Sequence, residues 1–318
     1  MDGFVHNICM IDQRLKTLRI FANCGTVAAT AELTGYSPSA VSAQLRELQR
    51  SLGMQLLSKE GRGVRLTAAG RQLVRGADAL VSDWELLRAS AFNADDQVPA
   101  HLGMGGFSTA AAHLLAPLAQ NLRVNRPSVE VALVEAHPEQ CLNLLVAERI
   151  DLAVIVSAHS GLRSDDPKFE QVTLLNDPLD VIVPKGHPLA GRSHLHLEEL
   201  AGEPWITDDE GSVYRALFTA AFAAIGQMPR IAHQAKEWET MSAFVGAGLG
   251  VGFLPRLAVL NGLEGVSRVR LAGANQPTRR IVAAVRRGSM EAPLIRESLE
   301  FLRAEASKIL KVRLAEAG

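Results

Sequence analysis

The chain has 318 residues, more than one ordinary hydrophobic core holds, so we expect two or three folding units. With 47% hydrophobic and 21% charged residues, its composition is that of a globular protein and not of a disordered one. No apolar run reaches the roughly 20 residues that cross a bilayer. Acidic residues, Asp2 and Asp12, stand where a signal peptide would carry basic ones. We therefore expect a cytoplasmic protein that does not engage a membrane.

The formal net charge of −1 hides an uneven distribution along the chain. Between Ile11 and Gly76, ten Arg or Lys stand against four Asp or Glu, which gives +6. The other residues include 23 basic and 30 acidic side chains, which gives −7. A basic N-terminal module on an acidic remainder is expected where only one domain binds the phosphates of a nucleic acid.

The cysteines and histidines give no sign of a metal centre. Cys9, Cys24 and Cys141 are odd in number, far apart and without Cys-x-x-Cys spacing, so we expect reduced thiols and neither a disulfide framework nor a zinc site. His194 and His196 could ligate a metal, but surface histidines beside acidic residues are the commoner case. We expect no metal and no other cofactor.

Helical spacing of the apolar residues predicts three short helices over 13–24, 27–33 and 38–52. Thr26 and Ser37 are placed to cap the second and the third of them. Two helices joined by a short turn with a glycine, the second with small polar and basic side chains, are typical of a helix-turn-helix that reads the major groove. For this stretch alone, a three-helix bundle with a solvated polar face is the alternative.

The segment after the third helix predicts a wing. Residues 54–67 have the pattern of two short strands around a glycine-rich turn, and the turn carries Arg62 and Arg65. Arginines on such a turn are suited to contact with phosphates or with the minor groove.

A long helix is predicted over 68–92, with Thr67 as its N-cap. Its apolar residues recur at alternating steps of four and three: Leu73, Ala77, Leu80, Trp84, Leu87 and Ala91. So narrow a stripe is suited to pairing with a partner helix, although packing against its own domain would need a similar pattern. The polar segment 93–99 ends in a proline, which marks a domain boundary.

Strands and helices alternate through the rest of the chain, which predicts an α/β fold with a parallel sheet. The first predicted strands and helices cover 101–105, 109–123, 129–135, 139–148 and 152–156. After a crossover the alternation continues at 179–184, 197–200, 205–207, 213–225, 237–247 and 250–254. A late strand over 279–285 and a final helix over 294–310 could return to the first part.

In open sheets of this kind, ligands bind beyond the carboxyl ends of strands and against helix N-termini. The candidate effector-binding residues are those that follow predicted strands: Ser108, Thr109, Pro138, Ser157 and Thr207. Each is a weak signal by itself, because a Ser or Thr at a helix start is more often an ordinary N-cap.

Three motifs within 25–70 carry a family resemblance: S-x-S-A-V-S from Ser37, L-x-x-L-x-x-x-L-G from Leu45, and G-R-G-V-R-L-T-x-A-G from Gly61. Together they resemble the DNA-binding domain of the LysR-type transcriptional regulators. The resemblance implies contacts with bases and phosphates from Ser37, Pro38, Ser39, Ser42 and Arg46, and with the DNA backbone from Arg62 and Arg65. Many members have a base-reading glutamine where this chain has Pro38, which cannot donate a hydrogen bond. The operator is therefore not predictable by analogy.

Four later motifs resemble the effector domain of the same family: L-G-x-G-x-x-S-T from Leu102, E-R-I-D-L-A-V from Glu148, G-H-P-L from Gly186 and V-G-A-G-L-G-V-G-F-L-P from Val245. That domain is similar to type 2 periplasmic binding proteins. The resemblance implies lobe one over 100–173 and 277–310, lobe two over 174–276, and an effector in the cleft that touches Ser108, Thr109 and Thr207. Pro138 stands where many members have a polar side chain, which leaves the identity of the effector open.

The predicted fold class is α/β with an N-terminal all-α winged helix-turn-helix over 11–69, a dimerisation helix over 68–92 and an effector domain of two α/β lobes over 98–312. The predicted function is sequence-specific regulation of transcription, modulated by a small-molecule effector. The expected partners are double-stranded operator DNA, the effector, further copies of the chain in a homodimer or homotetramer, and RNA polymerase. The alternatives are a constitutive DNA-binding repressor and a cytoplasmic small-molecule-binding protein.

An enzyme is disfavoured by the sequence. Gly103-Met104-Gly105 resembles the start of a dinucleotide-binding loop, but Ser108 stands where the third glycine would be, and no acidic residue follows at a suitable distance. The chain shows no nucleophile elbow and no paired carboxylates, so we expect no catalytic residues.

Overall fold

The computed structural model describes residues 11–61, 63–94, 101–157, 166–259, 265–273 and 276–315. The chain forms two compact units. The first comprises Met1–Ile155, Ser160–Val172 and Ala283–Phe301, and the second comprises Val156–His159, Thr173–Val282 and Leu302–Gly318. Within the described ranges, no helix combines the length and the apolar character needed to span a membrane.

The N-terminal module folds as three helices and a hairpin: α1 (Gln13–Cys24), α2 (Val27–Thr34), α3 (Pro38–Leu52), β1 (Leu57–Glu60) and β2 (Gly63–Leu66). The predicted caps are confirmed, since Thr26 Oγ1 accepts from the Ala29 N–H and Ser37 Oγ from the Ala40 N–H, both at 3.2 Å. Each helix ends at a glycine in the left-handed conformation, which residues with a Cβ rarely adopt: Gly25, Gly35 and Gly53.

The core of this module is apolar and is shared by the three helices and the hairpin: Leu18, Phe21, Ala31, Val41, Leu45, Leu48 and Leu56. The hairpin strands are antiparallel, with Leu57 opposite Leu66 and Glu60 opposite Gly63. The predicted wing is therefore confirmed as a β-hairpin, and it distinguishes the module from a plain three-helix bundle.

A single long helix, α4 (Ala68–Ala94), follows the hairpin. Thr67 caps it as predicted, because its Oγ1 accepts from the Gly70 N–H at 3.0 Å. A Cβ at Gly70 would lie 2.3 Å from the Leu56 carbonyl oxygen, so only glycine lets α4 start this close to the module. Arg19 on α1 and Asp78 on α4 form an ion pair at 2.8 Å, with both side chains largely buried.

The first α/β lobe is built on a parallel sheet, as predicted. β3 (His101–Gly106) lies between β4 (Glu130–Glu135) and β5 (Leu152–Val156) and is parallel to both. Its helices are α5 (Ser108–Ala110), α6 (Ala116–Asn125) and α7 (Pro138–Val146), with a π-helical turn over Ala111–Leu115 between the first two.

The glycines of β3 allow the segment before β5 to pack closely against this strand. A Cβ on Gly103 would lie 3.0 Å from the Ile150 Cα, and one on Gly105 would lie 2.8 Å from the Ile150 Cδ1. The close approach of the segment before β5 therefore accounts for these glycines. Their resemblance to a dinucleotide-binding loop has a structural explanation that needs no nucleotide.

The second unit holds a mixed sheet. Its strands are β6 (Phe169–Pro184, shared with the first unit), β7 (His194–Leu195), β8 (Pro204–Thr207), β9 (Arg230–Gln234), β10 (Val251–Pro255), β11 (Val266–Leu271) and β12 (Thr278–Arg286, also shared). β8 is parallel to β9 and β10, but β10 and β11 run antiparallel to β6. The expected parallel pairing is found for β8, β9 and β10 and also for β7 and β11, but not for β6, which is the long strand by which the chain enters this unit and is not part of a strand-helix repeat.

The core of the second unit is aromatic at its centre. The Trp205 ring lies edge-on to Phe218, Phe222 and Phe253, at centroid distances of 5.3, 5.1 and 4.9 Å. Phe218 and Phe222 belong to helix α8 (Val213–Ala224), and helix α9 (Trp238–Gly246) adds Met241 and Val245 to the same core.

The chain crosses between the two units inside β5, inside β6 and inside β12, and α10 (Pro293–Ala315) has residues in both. All three of these crossings fall within continuous strands, where no change in composition marks a boundary. The domain limits given by the sequence stay predictions.

Candidate DNA-binding surface and effector loops

Helix α3 presents a polar surface to solvent. Val41, Leu45 and Leu48 are buried in the core, which turns the opposite side of the helix outward. The residues predicted to contact DNA lie on that outward side, where Ser42 is half-buried and the others are exposed: Ser37, Pro38, Ser39 and Arg46. The fold therefore brings all five together on one surface.

The N-terminus of α3 is suited to an anion. Ser37 caps the helix, and its Oγ lies 2.8 Å from the Ser39 Oγ. Pro38 occupies the first helical position, where a missing N–H costs the helix no hydrogen bond. Because the positive end of the helix dipole favours an anion and the Ser37 and Ser39 hydroxyls can donate, this end of α3 can contact the DNA backbone even though Pro38 cannot read a base.

Arg46 and Arg50 lie on the same helix but differ in their partners. Arg50 is bound by Glu47 at 2.6 Å, and Arg14 approaches the same carboxylate at 3.7 Å. The hydrogen bond from Arg50 lowers the pKa of the Glu47 carboxyl, which stays charged near neutral pH. The side chain of Arg46 has no hydrogen bond or ion pair with any described residue, so its guanidinium is available to DNA.

The wing carries an exposed ion pair. Arg65 lies 3.0 Å from Glu60 across the hairpin, and both side chains are more than half exposed. Exposed pairs of this kind contribute little to stability, so a phosphate can replace Glu60 as the partner of Arg65. Arg62 lies outside the described residues, and its contact with the DNA backbone stays a prediction.

Two glutamines hold α3 against its neighbours. Gln49 Oε1 accepts from the Leu56 and Leu57 N–H groups, both at 2.9 Å, which fixes α3 to the start of the wing. Gln44 Oε1 accepts from Thr17 Oγ1 of α1 at 2.5 Å. The role of these two glutamines is not predictable from the sequence, because a glutamine on an amphipathic helix has the pattern of an ordinary surface residue.

Two of the predicted effector loops meet at one edge of the parallel sheet. Ser108 and Thr109 follow β3, and Pro138 follows β4, its parallel neighbour. Phe107 occupies the N-cap position of the short helix and Ser108 its first position, with no side-chain cap. Ordinary helix capping therefore does not account for Ser108.

Pro138 and Ser157 are placed differently. Pro138 is the first residue of α7, a position that favours proline with or without a ligand. His137 precedes it, and its N–H donates to Gln140 Oε1 at 3.2 Å. Ser157 directly follows β5, at the point where the chain passes from the first unit to the second.

Thr207 ends β8 in the second unit and is fully buried. Its carbonyl accepts from the Ala235 N–H at 2.9 Å, but its hydroxyl has no hydrogen-bond partner among the described residues. An unpaired buried hydroxyl costs about 1–3 kcal/mol. A bound molecule or an ordered water that donates to or accepts from the hydroxyl would account for its burial.

Two buried ion pairs stiffen the same unit. Asp177 binds Arg279 at 2.5 Å and accepts from the Leu257 N–H at 2.9 Å. Asp180 binds Arg256 at 2.5 Å, and this hydrogen bond raises the pKa of the Arg256 guanidinium in spite of its burial. Since the carboxylates are engaged by the protein itself, we assign both pairs a structural role.

The two described thiols are protonated at neutral pH. Burial raises the pKa of Cys24, although Lys168 opposes this effect. Burial also raises the pKa of Cys141 to about 12. Because the thiolate is the reactive form of cysteine, neither side chain is prepared for oxidation or metal binding. Cys9 lies outside the described residues.

Two family models match the chain: "Bacterial regulatory helix-turn-helix protein, lysR family" matches residues 13–71, and "LysR substrate binding domain" matches residues 96–307. A hydrogen peroxide-inducible genes activator from Haemophilus influenzae is 29% identical over 261 residues, which cover 81% of this chain and 85% of that protein. The HTH-type transcriptional regulator TtuA from Agrobacterium vitis is 30% identical over 243 residues, 76% of this chain and 79% of that protein.

A solved structure of a full-length OxyR variant from Pseudomonas aeruginosa has the same fold, with a TM-score of 0.64 and 21% identity. The similarity covers 93% of this chain and 94% of that one. The exposed recognition helix and wing lie in the first matched region, and the effector loops lie in the second. With both regions matched, the chain belongs to the LysR family of transcriptional regulators.

Proposed function

We propose that this regulator acts as a dimer paired through α4, binds an inverted-repeat operator with two copies of α3, and alters transcription when a small molecule binds its effector domain. The observation that carries the proposal is the exposure of Leu80 and Leu87 on α4, whereas Ala77 of the predicted stripe is buried within the chain. Pairing through this face brings in a second chain and with it the second copy of α3 that an inverted repeat requires.

Helix α4 has one face that is buried within the chain and another that exposes apolar side chains. Residues four apart are buried against the helix's own chain: Ala77, Val81, Glu85 and Ala89. Leu80 and Leu87, seven apart, are 55% and 64% exposed. Apolar residues seven positions apart are typical of helices that pair in a coiled coil, so the exposed face is suited to a second α4. The first face explains the packing within the chain, and the second supports dimerisation.

The effector that we propose is a small polar molecule that binds without covalent chemistry. The unpaired hydroxyl of Thr207 and the loops at the carboxyl ends of β3 and β4 support this class of ligand. The relative from Haemophilus influenzae is described as a peroxide-inducible activator. The high pKa values of Cys24 and Cys141 favour a different signal for this chain.

Regulation of transcription requires contact with chromosomal DNA and with the polymerase that reads it. We therefore place the protein in the cytoplasm, with RNA polymerase as the partner that responds to the bound dimer. No reaction is part of the proposal, because the candidate residues are proposed to bind DNA or the effector.

The experiment that tests the proposal is a footprint of the purified protein on the DNA upstream of its own gene, repeated with pools of small molecules. We expect protection of an inverted repeat with half-sites about one helical turn apart, and a change in its extent with one pool. Protection that no pool alters would favour the constitutive repressor. No protection on this DNA or on genome-selected DNA would return the protein to a small-molecule-binding role.

A further inference from the structure

A polar interface joins the helix-turn-helix to the first α/β lobe of the same chain, and both belong to the first unit. Lys16 Nζ on α1 lies 2.8 Å from Glu148 Oε2, just beyond α7. At the end of α1, Asn23 accepts from Lys168 Nζ at 2.7 Å and donates to the Asn143 side chain on α7. We call these five residues the docking seam.

Water reaches the docking seam. The side chains of Lys16 and Glu148 are 15% and 24% exposed, and the contacts named are hydrogen bonds and ion pairs. Polar contacts that solvent can replace are weak, because water offers the separated groups equivalent hydrogen bonds. The seam can therefore open without unfolding the protein.

The linker helix is fixed to the same lobe by a buried contact. Arg286 binds Glu85 of α4 at 2.6 Å, Asp151 at 2.7 Å and the Ile150 carbonyl at 2.6 Å. Burial disfavours the charged guanidinium, but Glu85 and Asp151 outweigh this effect and raise the pKa of Arg286. Separation would leave buried charges without partners, so this contact persists while the lobe is folded.

The backbone also comes close to α4 at this point. Gly288 has a φ of 88°, and a Cβ there would lie 2.4 Å from the Ser82 carbonyl oxygen of α4. Because Arg19 ties α1 to Asp78 of α4, these two helices form one arm. The arm contacts the lobe at the buried Arg286 cluster and at the docking seam. A rotation of the arm about the Arg286 cluster would therefore separate the residues of the docking seam.

Helix α7 runs from an effector loop to the docking seam. It begins at Pro138 and carries Asn143, and Glu148 follows its end. Its nine residues span about 13 Å at the rise of an α-helix. Glu148 has a φ of 57°, unusual for a residue with a side chain, and its N–H donates to the Leu145 carbonyl at 3.1 Å. The backbone of Glu148 is thus held at the end of α7, and its carboxylate contacts Lys16.

We propose that the docking seam is a releasable contact through which α7 reports the state of the effector loop to the helix-turn-helix. With the seam closed, α3 has a fixed orientation for the operator. A shift of α7 opens the seam, and the arm then rotates about Arg286. The role of the effector in this inference rests on the proposed function, whereas the seam and its effect on α3 do not.

The test uses charge reversal in the full-length protein. Lys16→Glu and Glu148→Lys each open the seam, and the double variant K16E/E148K restores an ion pair with the charges exchanged. Arg126→Glu is the matched control, because it breaks a surface ion pair of the same unit, with Glu297 at 3.0 Å. Operator affinity is measured by fluorescence anisotropy, and opening is measured by hydrogen exchange of α1 and of residues 143–149 without DNA.

We expect each single reversal to raise the exchange rates at the seam and to weaken operator binding at least about fivefold, since α3 loses its fixed orientation. The double variant should recover the wild-type exchange rates and the wild-type operator affinity, and Arg126→Glu should change neither quantity. Recovery separates the seam from simple repulsion by DNA, because the double variant keeps Glu at position 16. Wild-type affinity in both single variants, or no recovery in the double variant, would overturn the inference.

Failure of the proposed function has a different signature. If no pool of small molecules alters the footprint, the effector role fails, but the reversals still test the seam. If wild-type protein binds no DNA, the exchange measurement alone decides: unchanged exchange in Lys16→Glu and Glu148→Lys would overturn the seam itself.

Discussion

At the scale of single residues, the positive charge on α3 is divided between an arginine held by a neighbour and one that has no partner in the described residues. We expect Arg46→Ala to weaken operator binding by about 1–3 kcal/mol, because its guanidinium is free to contact a base or phosphate. Arg50→Ala, which removes a side chain already bound by Glu47, is the matched control and should have a smaller effect. Anisotropy titrations at one salt concentration compare the two, and equal losses would contradict the ranking.

The hydroxyl of Thr207 gives a prediction that separates ligand binding from stability. Thr207→Val removes a buried hydroxyl without a partner, so the free energy of unfolding should stay unchanged or rise by up to about 1 kcal/mol. The response to the active small-molecule pool should fall, with operator affinity unchanged. Thermal unfolding and footprint titration measure the two effects.

The matched control for Thr207→Val is Thr30→Val. Thr30 is equally buried, but its Oγ1 donates to the Thr26 carbonyl at 2.7 Å, so the same change should destabilise the protein by about 1 kcal/mol. A larger loss of stability in Thr207→Val than in Thr30→Val would show that the Thr207 hydroxyl has a partner.

Ser108→Ala should likewise preserve DNA affinity and reduce the ligand response.

The Cys141 thiol makes stability depend on pH in the alkaline range. Its pKa is about 12 in the folded protein against an ordinary value of 9.0, so the unfolded chain releases this proton first. The contribution is fully present below pH 9 and is lost as the pH rises towards 12, at up to about 1.4 kcal/mol per pH unit. Denaturant unfolding at several pH values should give a steeper decline for the wild type than for Cys141→Ala. An equally steep decline in the free energy of unfolding for the two proteins would contradict the prediction.

At the scale of elements, the two faces of α4 predict that dimerisation and folding can be separated. We expect the double variant L80D/L87D to be a folded monomer, because both leucines are exposed in the single chain and would be buried only between two helices. Ala79→Asp, on an exposed position of the same helix, should remain dimeric. Sedimentation equilibrium measures the mass, and circular dichroism measures the fold. A dimer of undiminished affinity in L80D/L87D would place the interface elsewhere.

The elements that the sequence predicts best are those with strong local signals. α1 is found at the predicted 13–24, and the caps Thr26, Ser37 and Thr67 are confirmed, because each is determined by a few adjacent residues. β6 was expected only over 179–184 but runs from Phe169 to Pro184, since polar residues interrupt its apolar pattern. β9, with the sequence Arg-Ile-Ala-His-Gln, was missed for the same reason, and neighbouring β8 supplies its hydrogen bonds.

The candidate site divides in a similar way. The polar face of α3 follows from helical periodicity, and the effector loops follow from the rule that ligands bind at the carboxyl ends of strands. The unpaired hydroxyl of Thr207 depends on what surrounds it in space. The Arg286 cluster joins residues 201 positions apart in the chain, and no local pattern indicates such a pairing.

At the scale of the whole molecule, we expect that signal detection does not use the thiols of Cys24 and Cys141. Since Cys24 and Cys141 are held as thiols by burial, we expect operator binding to be unchanged by hydrogen peroxide at concentrations that oxidise an exposed thiolate. Footprints with and without peroxide, and after thiol alkylation, measure this. A footprint altered by peroxide in the wild type, but not in a Cys9→Ser variant, would assign the response to that cysteine.

The buried contact between Glu85 and Arg286 also sets an order of events during synthesis. Arg286 leaves the ribosome 201 residues after Glu85, and until then the carboxylate on α4 lacks its partner. Translation that stops early yields a helix-turn-helix with a linker but without the buried contact that fastens it to the first lobe. A shortened gene product would thus carry the DNA-reading surface without its control, and a truncation allele should behave as dominant over the intact copy.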